Sequence, residues 1–277
     1  MRLVISSDNH IDVNRLDLTT TLQFQANWLV QHQVDLYFHL GDLFNNFGQT
    51  KAYFQQLQLL VPQTKCFYLA GNHEMINLAP FSMLEETTDS RYFHKSYLDL
   101  PGTNWRIIGN NGWYDYSFST FAQESDRVAK WKNVYWLDST ADQPLTDQAR
   151  MDQVLQTLTD QFKNAQQNHR QVILLTHFAP QKVLLHQYPA TLSVRRQEAA
   201  EMIRAMMGSQ RLGKLIQQYP NVKQVYYGHL HGYRPQQTIG NVDYINVAVG
   251  VNKRRHNEWD QPNFKQQWVQ HLKVLNF

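Results

Sequence analysis

Seven side chains able to ligate a metal, and one further histidine, stand in five short blocks. These are Asp8-Asn9-His10, Gly41-Asp42, Gly71-Asn72-His73-Glu74, His177 and Gly228-His229-Leu230-His231. Asp8 and His10 are two residues apart, as are His229 and His231. In extended backbone that spacing puts both side chains of a pair on one side, where they can grip one ion. Asp42 carries two carboxylate oxygens and can bridge two ions. Asn72 offers a neutral amide oxygen, and His177 a further nitrogen. Imidazole nitrogen with carboxylate and amide oxygen, and no thiolate, suits manganese or iron, or zinc, better than calcium. Two dications outweigh the charges of Asp8 and Asp42, so the site would attract a phosphoryl group and activate hydroxide near neutral pH. His73, next to Asn72, is expected to overhang the site and donate to a phosphoryl oxygen or a leaving alkoxide.

Each block alone has a plain explanation. Asp-x-His is common in turns and caps, and a lone histidine at a strand end is usually a satisfied core residue. The order of the five blocks, each following an apolar run, is what points to one crevice at neighbouring strand ends.

The elements that must position them follow from periodicity. Apolar runs at 3–7, 35–40, 65–70, 105–109, 171–176 and 223–227 read as strands. A helix capped by Thr19 or Thr20 is expected with the stripe Leu22, Ala26, Leu29 and Val30, and a second near 51–60. A long amphipathic helix is expected over 147–165, and a short one after Ser209. Residues 236–239 and 242–247, around Gly240-Asn241, read as a hairpin. Strands alternating with helices indicate βαβ units. The stretch 119–139 has no clear pattern. Segments near 112–140 and 178–208 are expected to be caps or lids of one domain spanning 1–277.

Composition bounds the alternatives. The 277 residues hold 26 Lys and Arg against 23 Asp and Glu, without the basic stripe of a dedicated nucleic-acid binder. Cys66 is the single cysteine, which rules out an internal disulfide; it reads as a buried strand residue. No apolar run approaches a membrane span, and Leu3-Val4-Ile5 is too short for a signal-peptide core, so a cytoplasmic protein is expected.

Together the blocks resemble the calcineurin-like metallophosphoesterase superfamily, from Asp8 to His231. The resemblance implies a four-layer α/β/β/α sandwich of two mixed sheets with a dinuclear metal site at strand ends. Carried over by position, Asp8, His10, Asp42 and His231 would hold one metal. Asp42, Asn72, His177 and His229 would hold the other, and His73 would be catalytic. Many members carry an aspartate three residues after the bridging one, to orient the catalytic histidine. Here that position is Asn45, whose amide oxygen accepts from imidazole but brings no charge. The implied activity is hydrolysis of phosphomonoesters or phosphodiesters, with a small phosphoester or nucleotide as substrate. A DNA-repair nuclease of the same superfamily is the alternative, with nucleic acid the less favoured partner. A metal-free scaffold on the same fold, as in retromer-type subunits, is a third reading.

Weaker candidates surround these blocks. Trp113 and Tyr114 follow a strand and are candidates to stack on a substrate ring. His186, Arg195 and Arg196 are candidates to bind phosphate or a nucleotide tail. Asp12 reads as a partner of the ligands or a surface carboxylate, His39 as a core histidine, and Glu74 as a loop stabiliser. Lys253-Arg254-Arg255 reads as a basic patch or a solvated face.

Overall fold

The computed structural model describes residues 1–76, 79–86, 89–189, 191–254 and 256–277; Arg255 of the expected basic patch lies outside them. Three βα steps open the chain: β1 (Arg2–Ser6), α1 (Leu18–Gln31), β2 (Leu36–His39), α2 (Phe47–Leu60), β3 (Lys65–Tyr68) and a single turn α3 (Asn72–Met75). Then come α4 (Phe81–Glu86), β4 (Ser96–Asp99), β5 (Trp105–Gly109), α5 (Ser125–Tyr135) and a 3-10 turn, Leu137–Thr140. They are followed by α6 (Asp147–Gln167), β6 (Gln171–Thr176), α7 (Val194–Ala205), α8 (Gln210–Gln218) and β7 (Val222–Tyr227). The chain continues through β8 (Gln237–Ile239), β9 (Val242–Asn246), β10 (Asn252–Lys253), β11 (His256–Asn257), α9 (Phe264–His271) and β12 (Lys273–Asn276).

Two mixed sheets carry the fold, in the orders β12-β1-β2-β3 and β4-β5-β6-β7-β9-β8. β1, β2 and β3 run parallel, as do β5, β6, β7 and β9, while β12, β4 and β8 pair antiparallel at the edges. Strand side chains alternate between two buried faces. Leu3, Ile5, Leu36, Phe38, Ile107, Ile173, Leu175, Tyr226 and Ile245 share the cluster between the sheets. Val4, Tyr37, Tyr68, Ile108, Leu174, Val225 and Tyr244 pack in the cluster that includes the helix stripes of α1, α2, α6 and α8. Burial on both faces explains why the strands read as continuous apolar runs rather than alternating ones.

Helix starts follow side-chain chemistry. Asp17, not Thr19 or Thr20, caps α1: its carboxylate accepts from Thr20 N at 2.8 Å, and the threonines fall inside the first turn. Thr146 caps α6, and Ser209 caps α8 as expected. The unpatterned stretch contains α5 and the 3-10 turn, and 178–208 contains α7.

Candidate metal centre

The parallel strands of both sheets end on one rim, and the five blocks are the loops leaving it. Asp8 follows β1, Asp42 follows β2, Asn72 and His73 open α3 after β3, His177 follows β6 directly, and His229 follows β7. The sheets are stitched together there. Ser7 N donates to Val247 O and Val249 N to Ser7 O, while His177 Nδ1 donates across to Leu40 O at 2.9 Å. That last bond fixes the His177 tautomer and leaves its Nε2 as the nitrogen facing the carboxylates.

The donors fall into two groups that share Asp42. Asp8, His10, Asp42 and His231 form one and Asp42, His177 and His229 the other, with the ligand atoms of each group within 4.8 Å of one another. His231 Nε2 lies 3.0 Å from Asp8 Oδ1 and 3.1 Å from His10 Nε2. His177 Nε2 lies 3.4 Å from Asp42 Oδ2 and 3.3 Å from Asn72 Oδ1, which adds Asn72 to the second group. The buried His229 Nε2 has no hydrogen-bond partner, an orphaned nitrogen whose lone pair a cation would satisfy. The residues present therefore fit a pair of metal ions in the two expected sets.

Backbone conformation is adapted to this convergence. Asp8, His10, Asp42 and His229 have φ of 56°, 46°, 58° and 63°, a left-handed region that non-glycine residues rarely occupy. Asp8 N donates to Gly41 O and His10 N to Asp42 O, tying the first two turns together. Glycines make the room. A Cβ on Gly71 would lie 2.1 Å from Asp42 Oδ1 and 2.7 Å from His177 Nε2, and one on Gly228 would lie 2.3 Å from Asp8 Oδ2.

Glu74 anchors the Asp42 turn. Its fully buried carboxylate accepts from Asp42 N at 2.7 Å, Leu43 N at 2.7 Å, Gly71 N at 2.9 Å and Thr50 Oγ1 at 2.9 Å, the loop-stabilising part expected of it. Burial, with the charge of Asp42, pushes the Glu74 carboxyl up to about 7, against the pull of those backbone donors. Burial also opposes charge on Asp42, but His177 and His73 outweigh it and hold that carboxyl well below the usual range. The His177 imidazolium is disfavoured by burial and favoured by Asp42 and Asp8, which push it up to about 9. For His229 burial dominates, with help from the charge on His177, and takes it down to about 3.

His73 sits over the shared carboxylate, its Nε2 3.9 Å from Asp42 Oδ2. Its Nδ1 donates to Asn45 Oδ1 at 2.5 Å, so the amide meets the ring where the sequence places it. Asp12 accepts from Asn45 N at 2.9 Å and thereby fastens that loop. His39 is a buried core residue whose imidazolium burial depresses to about 3.

The stacking candidates are corrected. Trp113 and Tyr114 are fully buried, stacked on each other and edge-on to Phe178, and Trp113 Nε1 donates to Asp147. Neither ring has a face left for a substrate. His186, Arg195 and Arg196 are exposed, and among the described residues no hydrogen bond or ion pair joins them to the cluster. Two carboxylates had no signal in the sequence. Glu258 Oε2 lies 2.7 Å from His231 Nδ1, and Asp138 Oδ1 accepts from Asn72 Nδ2 at 2.8 Å.

Residues 1–233 match the family model described as calcineurin-like phosphoesterase. The chain belongs to that family. Among solved structures, the chain is similar to a dimetal phosphatase from Danio rerio, with 13% identity over 89% of this chain and 86% of that one, at a TM-score of 0.51. It is also similar to the anchor in the inner membrane complex of Plasmodium, with 11% identity over 96% of this chain and 76% of that one, at a TM-score of 0.50. At such identities the likeness concerns the fold alone. No curated protein sequence matches the chain.

Proposed function

We propose that the protein hydrolyses phosphoric esters at two metal ions, one held by Asp8, His10, Asp42 and His231, the other by Asp42, Asn72, His177 and His229. The observation that carries this reading is the convergence of two donor groups on one carboxylate, Asp42. Manganese or iron suits these donors, with zinc acceptable. When bound, such a pair polarises a phosphoryl group and lowers the pKa of coordinated water toward neutrality. The protein's own part is orientation and proton handling. Glu74 holds the Asp42 backbone, and the Leu40 carbonyl holds the His177 ring. Asn45 accepts from His73 Nδ1, so His73 Nε2 presents toward the site and serves a phosphoryl oxygen or the departing alkoxide.

The fold by itself does not settle activity, because one similar structure is an anchor. The site favours catalysis over a scaffold, since every ligand position holds a competent donor within reach of its neighbours. Small phosphomonoesters, phosphodiesters or nucleotides are the proposed substrates, with nuclease action as the second reading. The test is turnover of generic monoester, diester, cyclic-nucleotide and single-stranded DNA substrates with Mn²⁺ added. Turnover of the small esters supports the first reading, and turnover of DNA alone moves it to the second. No turnover of any substrate by Mn²⁺-loaded protein sinks it.

A further inference from the structure

An asparagine ligand poses a problem that an aspartate does not. The two ends of its amide have nearly one shape but opposite polarity, and half a turn about the Cβ–Cγ–amide axis exchanges them. Only the oxygen can face a cation. Something must therefore choose the orientation of Asn72, and the choice is visible. Asn72 Nδ2 donates to Asp138 Oδ1 at 2.8 Å, and its Oδ1 lies 3.3 Å from His177 Nε2, on the side of the second donor group. Each carboxylate oxygen of Asp138 receives a donor, since Oδ2 accepts from Trp136 Nε1 at 3.1 Å. Asp138 is 2% exposed and stands in the 3-10 turn directly after α5, inside the segment whose sequence shows no pattern. A flipped amide would bring its oxygen against an acceptor-only carboxylate and turn its NH₂ toward the metal.

We propose that Asp138 is a positioning residue that holds the Asn72 amide oxygen toward the second metal, making segment 125–140 part of the metal centre. This rests on the two-metal reading above. It gives that segment a task other than covering the site: it selects the polarity of one ligand from behind.

The test is Mn²⁺ titration of the full chain after chelator stripping, by calorimetry, with melting of the stripped protein as control. The wild type is expected to take up two Mn²⁺. In Asp138→Ala, one site should keep its affinity within about twofold and the other lose roughly 10–100-fold, the usual effect of removing a partner behind a ligand. Asp138→Asn is nearly isosteric and is the safer variant for folding; it should act in the same direction, since its own amide presents a donor to either Asn72 or Trp136. An Asn72→Asp chain carries two equivalent oxygens, so adding Asp138→Asn to it should cause no further loss at either site. Unchanged affinities in both Asp138 variants would overturn the role of Asp138 alone. So would parallel weakening of both sites with a lowered melting temperature, or an undiminished Asp138→Asn effect in the Asn72→Asp chain. A wild type that takes up no Mn²⁺ would overturn the two-metal reading and this inference with it.

Discussion

Asp42 is the residue with most to lose. It alone belongs to both donor groups, and its turn is held by Glu74 from behind and by His10 N from the side. Asp42→Asn keeps that backbone but removes the negative charge and leaves one neutral oxygen to face the ions. Both metals should weaken beyond the roughly 10–100-fold that losing a supporting partner costs. Turnover should vanish while circular dichroism stays unchanged; wild-type rates in this variant would remove the bridge from the mechanism. His73→Ala is the complementary change. Its ring donates to Asn45 and overhangs Asp42 without joining either donor group. Metal content should stay at the wild-type level while kcat falls by roughly 10²–10⁴. A variant that loses metal instead would make His73 a ligand.

Among elements, α4 offers a pH-dependent test away from the metals. Its Glu85 lies 2.6 Å from Lys95 Nζ, 3.3 Å from His94 Nε2 and 3.5 Å from Arg150 Nη2. Burial opposes ionisation of Glu85, but these three partners outweigh it and hold the carboxyl below its ordinary value of 4.5. A depressed carboxyl stabilises the fold above its unfolded value, and the benefit is lost as pH falls through the folded one. Glu85→Gln should therefore cost about 3 kcal/mol near pH 7 by stranding its partners. The gap in urea midpoint between the two proteins should narrow steadily below pH 4.5. A gap independent of pH would mean that the ion pairs contribute nothing. Elements also show what a single sequence discloses. The parallel strands and the helices α2, α6 and α8 were legible because period and caps are local signals. Edge strands β4 and β12 were not, being short and only half-buried, so no long apolar run marks them. The ligands were legible because a metal demands particular atoms. Asp138 and Glu258 were not, because a carboxylate behind a ligand is marked by proximity in space and by nothing near it in the chain.

For the whole molecule, the governing fact is that two sheets deliver their carboxyl ends to one rim. A metal bound there ties β1, β2 and β3 to β6 and β7, so ions should stabilise the entire fold by mass action. Chelation should lower the melting temperature in a way that added Mn²⁺ reverses; a melting point indifferent to chelator would count against tight binding. No helix among the described residues is long and apolar enough to cross a membrane. The left-handed backbone at Asp8, His10, Asp42 and His229 has one more consequence. Conformations of that kind cost about 1–2 kcal/mol each, and they are imposed by the surrounding web of main-chain bonds and the Glu74 fork. The cage is thus set by peptide geometry before any cation arrives. Emptying it should leave the amides of residues 8–11 and 41–44 protected from exchange, faster than in the loaded form only by the stability the ions had added, and refilling should proceed at the pace of diffusion and dehydration rather than of refolding.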